Sequence, residues 1–293
     1  MQTIGVVGCG LMGYGIATNL VRKGYEVTVY DTNPEAVQRV VNEGAAGAGS
    51  VPELAKFSDV LILSLPSTDL VENVLLEGRD GALHHLKAGG AVLDMSTNDV
   101  ARTRTLAEAA DVVGISYFDC PVSGGPAGAS KGSLTIMAGG SEEKFPHVSS
   151  VLEAMGEYVE YMGPSGSGQI VKLCNNMVVG GIISLLGEAL LTGERAGMSK
   201  EKLAKLFQKG SGQTKVMEVF GPNIIHETFD DVTFSLSNML KDLTLYRNLA
   251  AGEGIPTVIS DAAYELFTRA SAEGAYHRDS TAVAELLAHE LHS

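Results

Sequence analysis

One segment constrains this chain more than any other: Thr3-Ile4-Gly5-Val6-Val7-Gly8-Cys9-Gly10-Leu11-Met12-Gly13. An apolar run of strand composition leads directly into G-x-G-x-x-G, and a helical pattern over 11–23 opens on the motif. The three glycines have separable duties. Gly8 permits a tight turn, Gly10 lets a phosphate approach the backbone, and Gly13 lets helix and strand pack closely. A helix starting there points unpaired N–H groups and the positive end of its dipole at an anion. In this strand–motif–helix context the pattern predicts a seat for the pyrophosphate of a dinucleotide, formed by Gly8, Gly10, Leu11, Met12 and Gly13. Asp31 ends the next apolar run, where a carboxylate binds the adenosine ribose hydroxyls. A 2′-phosphate would meet like charge there, and Thr32, Asn33 and Pro34 follow instead of Lys or Arg. NAD is therefore the expected cofactor and NADP is disfavoured. The competing duty for Asp31 is to cap a helix beginning at Pro34.

The rest of the first half extends that unit. Apolar runs at 4–8, 27–30, 60–65, 91–94, 117–120 and 134–137 alternate with amphipathic stretches such as 11–23, 34–42 and 100–110. Runs rich in Val, Ile and Leu that do not strictly alternate suit strands covered on both faces. The α/β order predicts a Rossmann-type, doubly wound, mostly parallel sheet. Gly163-Pro164-Ser165-Gly166-Ser167-Gly168 reads as a break. The expected domains are thus 1–163, which binds the dinucleotide, and 164–293, for substrate and oligomerisation. The second opens with a long apolar helix over 169–196, roughly 42 Å at 1.5 Å per residue. Helical patterns at 200–209, 238–251, 258–272 and 280–291 make that domain all-α. The long helix is apolar all round, so it is expected to be buried within or between domains rather than to span a bilayer.

Composition removes other classes. A formal net charge of −14 without a basic stripe disfavours nucleic acid and anionic membranes as partners. Cys9, Cys120 and Cys174 lack disulfide or zinc spacing and are expected to be buried thiols in a reducing, cytoplasmic compartment. The N-terminus reads as a strand, not a cleavable signal. His84-His85 are expected to be solvated, and no metal site or Ser/His/Asp arrangement stands out.

Two further stretches carry chemistry. In Asp119-Cys120-Pro121-Val122-Ser123-Gly124-Gly125, a serine and two glycines follow a strand, where open α/β sheets bind ligands. Their N–H groups and hydroxyl suit an anion, although a plain glycine turn fits the same letters. In Ile170-Val171-Lys172-Leu173-Cys174-Asn175-Asn176 a lysine interrupts an apolar run. It either snorkels to solvent or is functional. Asn176, four residues on, shares its helix face, and Cys174 points away. Lys241-Asp242 by itself reads as a surface ion pair.

Taken in order, the fingerprint running on to Ala17-Thr18-Asn19-Leu20, the Asp119–Gly125 loop with Gly128-Ala129, Gly132-Ser133-Leu134 and Met137-Ala138-Gly139-Gly140, the Gly166–Asn176 stretch and Lys241-Asp242-Leu243 resemble the β-hydroxyacid dehydrogenase family over essentially the whole chain. The resemblance implies reversible hydride transfer between NAD and a short β-hydroxy acid, as in 3-hydroxyisobutyrate dehydrogenases. It assigns general acid/base duty to Lys172, substrate positioning to Asn176 and the substrate carboxylate to Ser123, Gly124 and Gly125. It places Lys241 near cofactor or substrate, Asp242 near Lys172, and Phe234 as an aromatic closing the pocket. Leu65, Pro66 and Thr97 correspond to positions beside the nicotinamide and ribose. A small-molecule hydroxy or aldehyde acid and a homodimer or homotetramer are the implied partners. An NADPH-dependent reductase of the tartronate or succinic semialdehyde type remains an alternative. Lys172 speaks against an imine reductase. Lys172 and the Ser123-Gly124 loop together speak against a non-catalytic dinucleotide-binding regulator.

Overall fold

The apolar runs of the first half become parallel strands of one sheet. The computed structural model describes residues 2–289. In it β1 (Thr3–Val7), β2 (Glu26–Tyr30), β3 (Ala46–Gly47), β4 (Val60–Leu63), β5 (Ala91–Asp94) and β6 (Ser116–Asp119) alternate with α1 (Leu11–Arg22), α2 (Pro34–Val41), α3 (Val51–Phe57), α4 (Thr68–Leu76) and α5 (Val100–Val112). They lie side by side in the order β3-β2-β1-β4-β5-β6, all parallel. Successive residues of one strand serve opposite faces. Ile4, Val6, Ile62 and Leu93 pack in one core, and Val7, Leu61, Leu63 and Val92 in the other. Burial on both faces is why these strands read as continuous apolar runs.

The sheet then departs from the expected pattern. It continues through β7 (Val122–Ser123), β8 (Leu134–Gly139) and β9 (Gly156–Gly163), with α6 (Gly125–Lys131) and α7 (Ser149–Glu153) between them. β8 is antiparallel to β6 and β7, and β9 is parallel to β8. Of the nine strands, β3, β7 and β9 were not foreseen. The first two have two residues each, too short for a periodic signal. β9 is long, but its alternation Glu157-Tyr158-Val159-Glu160-Tyr161 is largely exposed and carries no apolar run. α6 packs on α1 at Gly15, where a Cβ would lie 2.7 Å from the backbone of Ala129 and Ser130.

The chain divides into two units, one up to Lys172 and one from Leu173 on. The glycine-rich break precedes α8 (Ser167–Arg195), whose residues up to Lys172 belong with the sheet. The second unit is helical as expected, with α9 (Lys200–Phe207), α10 (Lys215–His226), α11 (Leu236–Gly252), α12 (Val258–Ala270) and α13 (Val283–His289). α10 escaped notice because Pro222 lies within it. The pattern expected over 258–272 stops at Ala270, ahead of Gly274 at φ +98°. The pattern over 280–291 splits into a 3-10 turn, Ser280–Ala282, and α13, and its last two positions lie outside the described residues.

α8 is long and apolar enough to cross a membrane by length and composition alone. Yet its first two turns bury the polar side chains of Gln169 and Lys172, and Ile183, Leu186 and Leu190 join the core of the second unit. Contrary to expectation, the helix is not buried all round: Val178 is 55% and Leu185 64% exposed. Cys174 is exposed on it as well, so only Cys9 and Cys120 are buried thiols.

Candidate functional site

The glycine loop has the shape its letters imply. Gly8 has φ +95°, and a Cβ there would strike the Ser64 carbonyl. A Cβ on Gly13 would run into the Gly8 carbonyl, so helix and turn touch where only hydrogen fits. A Cβ on Gly10 would meet nothing within 4 Å, which leaves the face over the start of α1 open. α1 has no side-chain cap and no acidic residue in its first turn. Its leading N–H groups are thus disposed toward an anion, and Leu11 (exposed) and Met12 (half-buried) stand at this opening. The residues present therefore fit a dinucleotide.

Asp31 is tied into the same loop. Its Oδ2 accepts from Cys9 N at 2.7 Å and its Oδ1 from Asn33 N at 2.8 Å. The cap of α2 is Asn33, which accepts from Glu35 N, so the capping alternative for Asp31 does not hold. Arg39 of α2, which the sequence reading passed over, reaches the Cys9 carbonyl at 3.5 Å. It lies in the last turn of α2, five residues past Pro34.

The ends of β4, β5 and β6 meet in a buried polar network. Leu65 N donates to Ser96 Oγ at 3.0 Å; Pro66, next to Leu65, is exposed. Asp94, with no exposure, accepts from Ser96 N (3.0 Å), Asn98 Nδ2 (2.7 Å) and the Tyr117 hydroxyl (2.6 Å). Half-buried Thr97 sits between the two fixed residues Ser96 and Asn98. Asp119 accepts from Gly166 N (2.7 Å) and Gln169 N (2.9 Å), which ties the start of α8 to the end of β6. Burial pushes both carboxyls up to about 6 against the pull of these donors. Two glycines of the sequence pattern explain themselves here: a Cβ on Gly139 or Gly168 would crowd the Asp119 carboxylate. Asp94, Asn98, Asp119 and Gln169 were not foreseen as site residues. The available signal was that β5 and β6 both close on aspartate, Val92-Leu93-Asp94 and Tyr117-Phe118-Asp119.

Lys172 is 8% exposed, and its Nζ donates to the Val122 carbonyl at 2.7 Å. Snorkelling to solvent is excluded. Val122 precedes Ser123, so the ammonium lies against the loop expected to hold a carboxylate. That loop is more ordered than a plain turn. Ser123 pairs with Thr135 across β7 and β8, and Gly124 and Gly125 follow at φ +126° and +60°, a conformation glycine adopts without strain.

In the second unit Asn176, 5% exposed, donates from Nδ2 to Asp242 Oδ2 at 2.5 Å and accepts from Asn175 at 3.0 Å. Asp242 is 1% exposed, so its pairing with Lys241 is not the solvated surface pair that the letters alone suggested. The Lys241 ammonium is 3.0 Å from Asp242 Oδ1 as an ion pair, without hydrogen-bond alignment. Phe234 packs on the helical core, and its N–H is held at 3.1 Å by Asp279, which also fixes Thr233 and Thr281. Among the described residues no cluster of His, Cys, Asp or Glu could hold a metal. His84 is exposed as expected, while His85 contacts the Arg79 carbonyl.

Comparison with known proteins matches both halves. Residues 3–163 match the NAD binding domain of 6-phosphogluconate dehydrogenase, and residues 166–287 the NAD-binding domain of NADP-dependent 3-hydroxyisobutyrate dehydrogenase. The chain is 35% identical to a probable mitochondrial 3-hydroxyisobutyrate dehydrogenase of Dictyostelium discoideum, over 98% of this chain and 91% of that one. It is 34% identical to an NAD-dependent L-serine dehydrogenase of Pseudomonas aeruginosa, over 98% of both. A solved structure of Mycobacterium tuberculosis 3-hydroxyisobutyrate dehydrogenase with L-serine superposes with a TM-score of 0.90 at 29% identity, covering 98% of this chain and 99% of that one.

Proposed function

The chain belongs to the β-hydroxyacid dehydrogenase family, and on that premise we propose that it interconverts a short β-hydroxy acid and its aldehyde acid with NAD. Gly8, Gly10, Leu11, Met12 and Gly13 would hold the pyrophosphate and Asp31 the adenosine ribose, with Leu65, Pro66, Thr97 and Lys241 toward the rest of the cofactor. When bound, the nicotinamide supplies the hydride acceptor or donor.

The observation that carries the reading is the buried Lys172 ammonium hydrogen-bonded to the residue beside Ser123. One small region of the first unit thus offers a proton-transfer group next to hydroxyl and N–H donors suited to a carboxylate. In oxidation the neutral Lys172 amine takes the hydroxyl proton as the carbonyl forms; in reduction the ammonium returns it. Ser123, Gly124 and Gly125 hold the carboxylate through the Ser123 hydroxyl and backbone N–H groups. The resemblance gives substrate positioning to Asn176, which buried Asp242 orients, and a pocket-lining aromatic duty to Phe234. The relatives' names point to 3-hydroxyisobutyrate and L-serine, both β-hydroxy acids, as the first substrates to test.

The test is a rate panel of 3-hydroxyisobutyrate, L-serine, glycerate, 3-hydroxypropionate, threonate and 4-hydroxybutyrate with NAD and NADP, for wild type and Lys172→Ala. The expected result is NAD-linked oxidation of one or more β-hydroxy acids, reduced about 10²- to 10⁴-fold in the variant. Equal rates in both proteins would remove the proposed chemistry.

A further inference from the structure

Gln169 is fully buried, and its amide joins two backbone groups on another segment. Oε1 accepts from Asn98 N at 3.0 Å, and Nε2 donates to the Ser96 carbonyl at 2.9 Å. These groups flank Thr97. The Gln169 backbone N–H meanwhile donates to Asp119. Lys172 lies three residues on, about one turn further along α8, and its Nζ reaches the Val122 carbonyl. One rigid helical stretch thus grips three sheet-end segments: the Ser96–Asn98 loop, the end of β6, and the strand that carries Ser123.

We propose that Gln169 is a positioning residue that sets the Ser96–Asn98 segment, and with it Thr97, in register with the Lys172 ammonium. The proposal rests on the functional reading above, in which Thr97 faces the cofactor and Lys172 moves the proton. A planar amide is the group the site requires. It offers one acceptor and one donor to an N–H and a C=O two residues apart. A carboxylate would set a second acceptor against the Ser96 carbonyl, beside the charges of Asp94 and Asp119. An apolar side chain of the same length would leave both backbone groups unpaired in the interior. Hydride and proton transfer need their groups in a narrow geometry, so a small shift between Thr97 and Lys172 slows turnover even when cofactor binding survives.

The experiment compares wild type, Gln169→Met and Gln169→Glu. In the cofactor-free protein, amide hydrogen exchange at Asn98 is expected to accelerate in Gln169→Met. The Kd for NADH, followed by the fluorescence of the bound nucleotide, is expected to stay within about threefold. kcat is expected to fall by about 10- to 100-fold, with a larger primary isotope effect from deuterated NADH, because hydride transfer becomes slower than the other steps. Gln169→Glu should regain activity relative to wild type as pH falls and its carboxyl takes up the proton that lets it donate to Ser96. Both variants retaining kcat and the isotope effect while Asn98 loses protection would overturn the proposal and leave Gln169 a structural bridge. If Gln169→Met does not fold, a flat pH ratio for Gln169→Glu overturns it alone. Failure of the functional reading looks different: the wild type would then oxidise none of the hydroxy acids.

Discussion

Replacing Asp94 with asparagine tests the balance of forces in the buried polar network at the ends of β4, β5 and β6. Asp94 accepts three hydrogen bonds, which favour the carboxylate, but burial favours the neutral acid more strongly and carries the group from 3.8 to about 6. At 1.36 kcal/mol per pH unit the rise corresponds to about 3 kcal/mol. The folded state binds the proton more tightly than the unfolded chain. Asp94 therefore favours folding most at pH below the unfolded value, and that advantage is lost as pH rises through about 6. Asparagine does not titrate, and its pH-independent costs, including a misplaced donor facing Ser96 N, drop out of the slope. The stability of wild type minus that of Asp94→Asn should fall by about 2 kcal/mol between roughly pH 4.5 and pH 7, as urea unfolding followed by circular dichroism would measure it. Asp119 changes in the same sense, because its own rise to about 6 includes repulsion from Asp94, which the variant removes. A difference that stays flat, or that grows as pH rises, would refute the reasoning by showing that the three donors match or outweigh burial.

Other perturbations follow from the same contacts. Asp31→Arg should lower kcat/KM for NAD by about tenfold or more and shift preference toward NADP, because it exchanges the proposed ribose acceptor for a cation; unchanged NAD kinetics would count against Asp31. Asp242→Ala should raise KM for the hydroxy acid with little change in the Kd for NADH, since Asn176 loses the acceptor that orients it. It should also cost about 1–3 kcal/mol of stability through the unpaired Asn176 amide. Gly13→Val should abolish NADH binding, and proper folding of the first unit with it, because its Cβ has no space against the Gly8 carbonyl; an intact nucleotide affinity would contradict that packing.

Much of the site was legible because the chemistry is local. The loop from Gly8 to Gly13 needs glycine at positions 8 and 13 for backbone reasons that neighbouring letters reveal, and Lys172 draws attention by interrupting an apolar run. Gln169 was missed, and Asp242 by its own letters was read as half of a surface pair, for the opposite reason. Their partners Asn176, Ser96 and Asn98 are far along the chain, and no local pattern separates a buried carboxylate or amide from a solvated one. β9 was lost likewise, because an edge strand's alternation of charged and aromatic residues carries no apolar run to mark it.

By itself the sequence determined the parallel sheet, the glycine loop suited to a dinucleotide and the presence of one lysine set among apolar residues. Periodicity, positive-φ turns and the cost of an isolated charge among apolar residues are properties of short segments. Tertiary structure alone decided that Lys172 binds the Val122 carbonyl, that Asp94 and Asp119 sit out of reach of water, and that Gln169 links α8 to the Ser96–Asn98 loop. Those facts depend on which distant backbone groups arrive beside a side chain and on how much solvent they displace, and only the folded chain sets either.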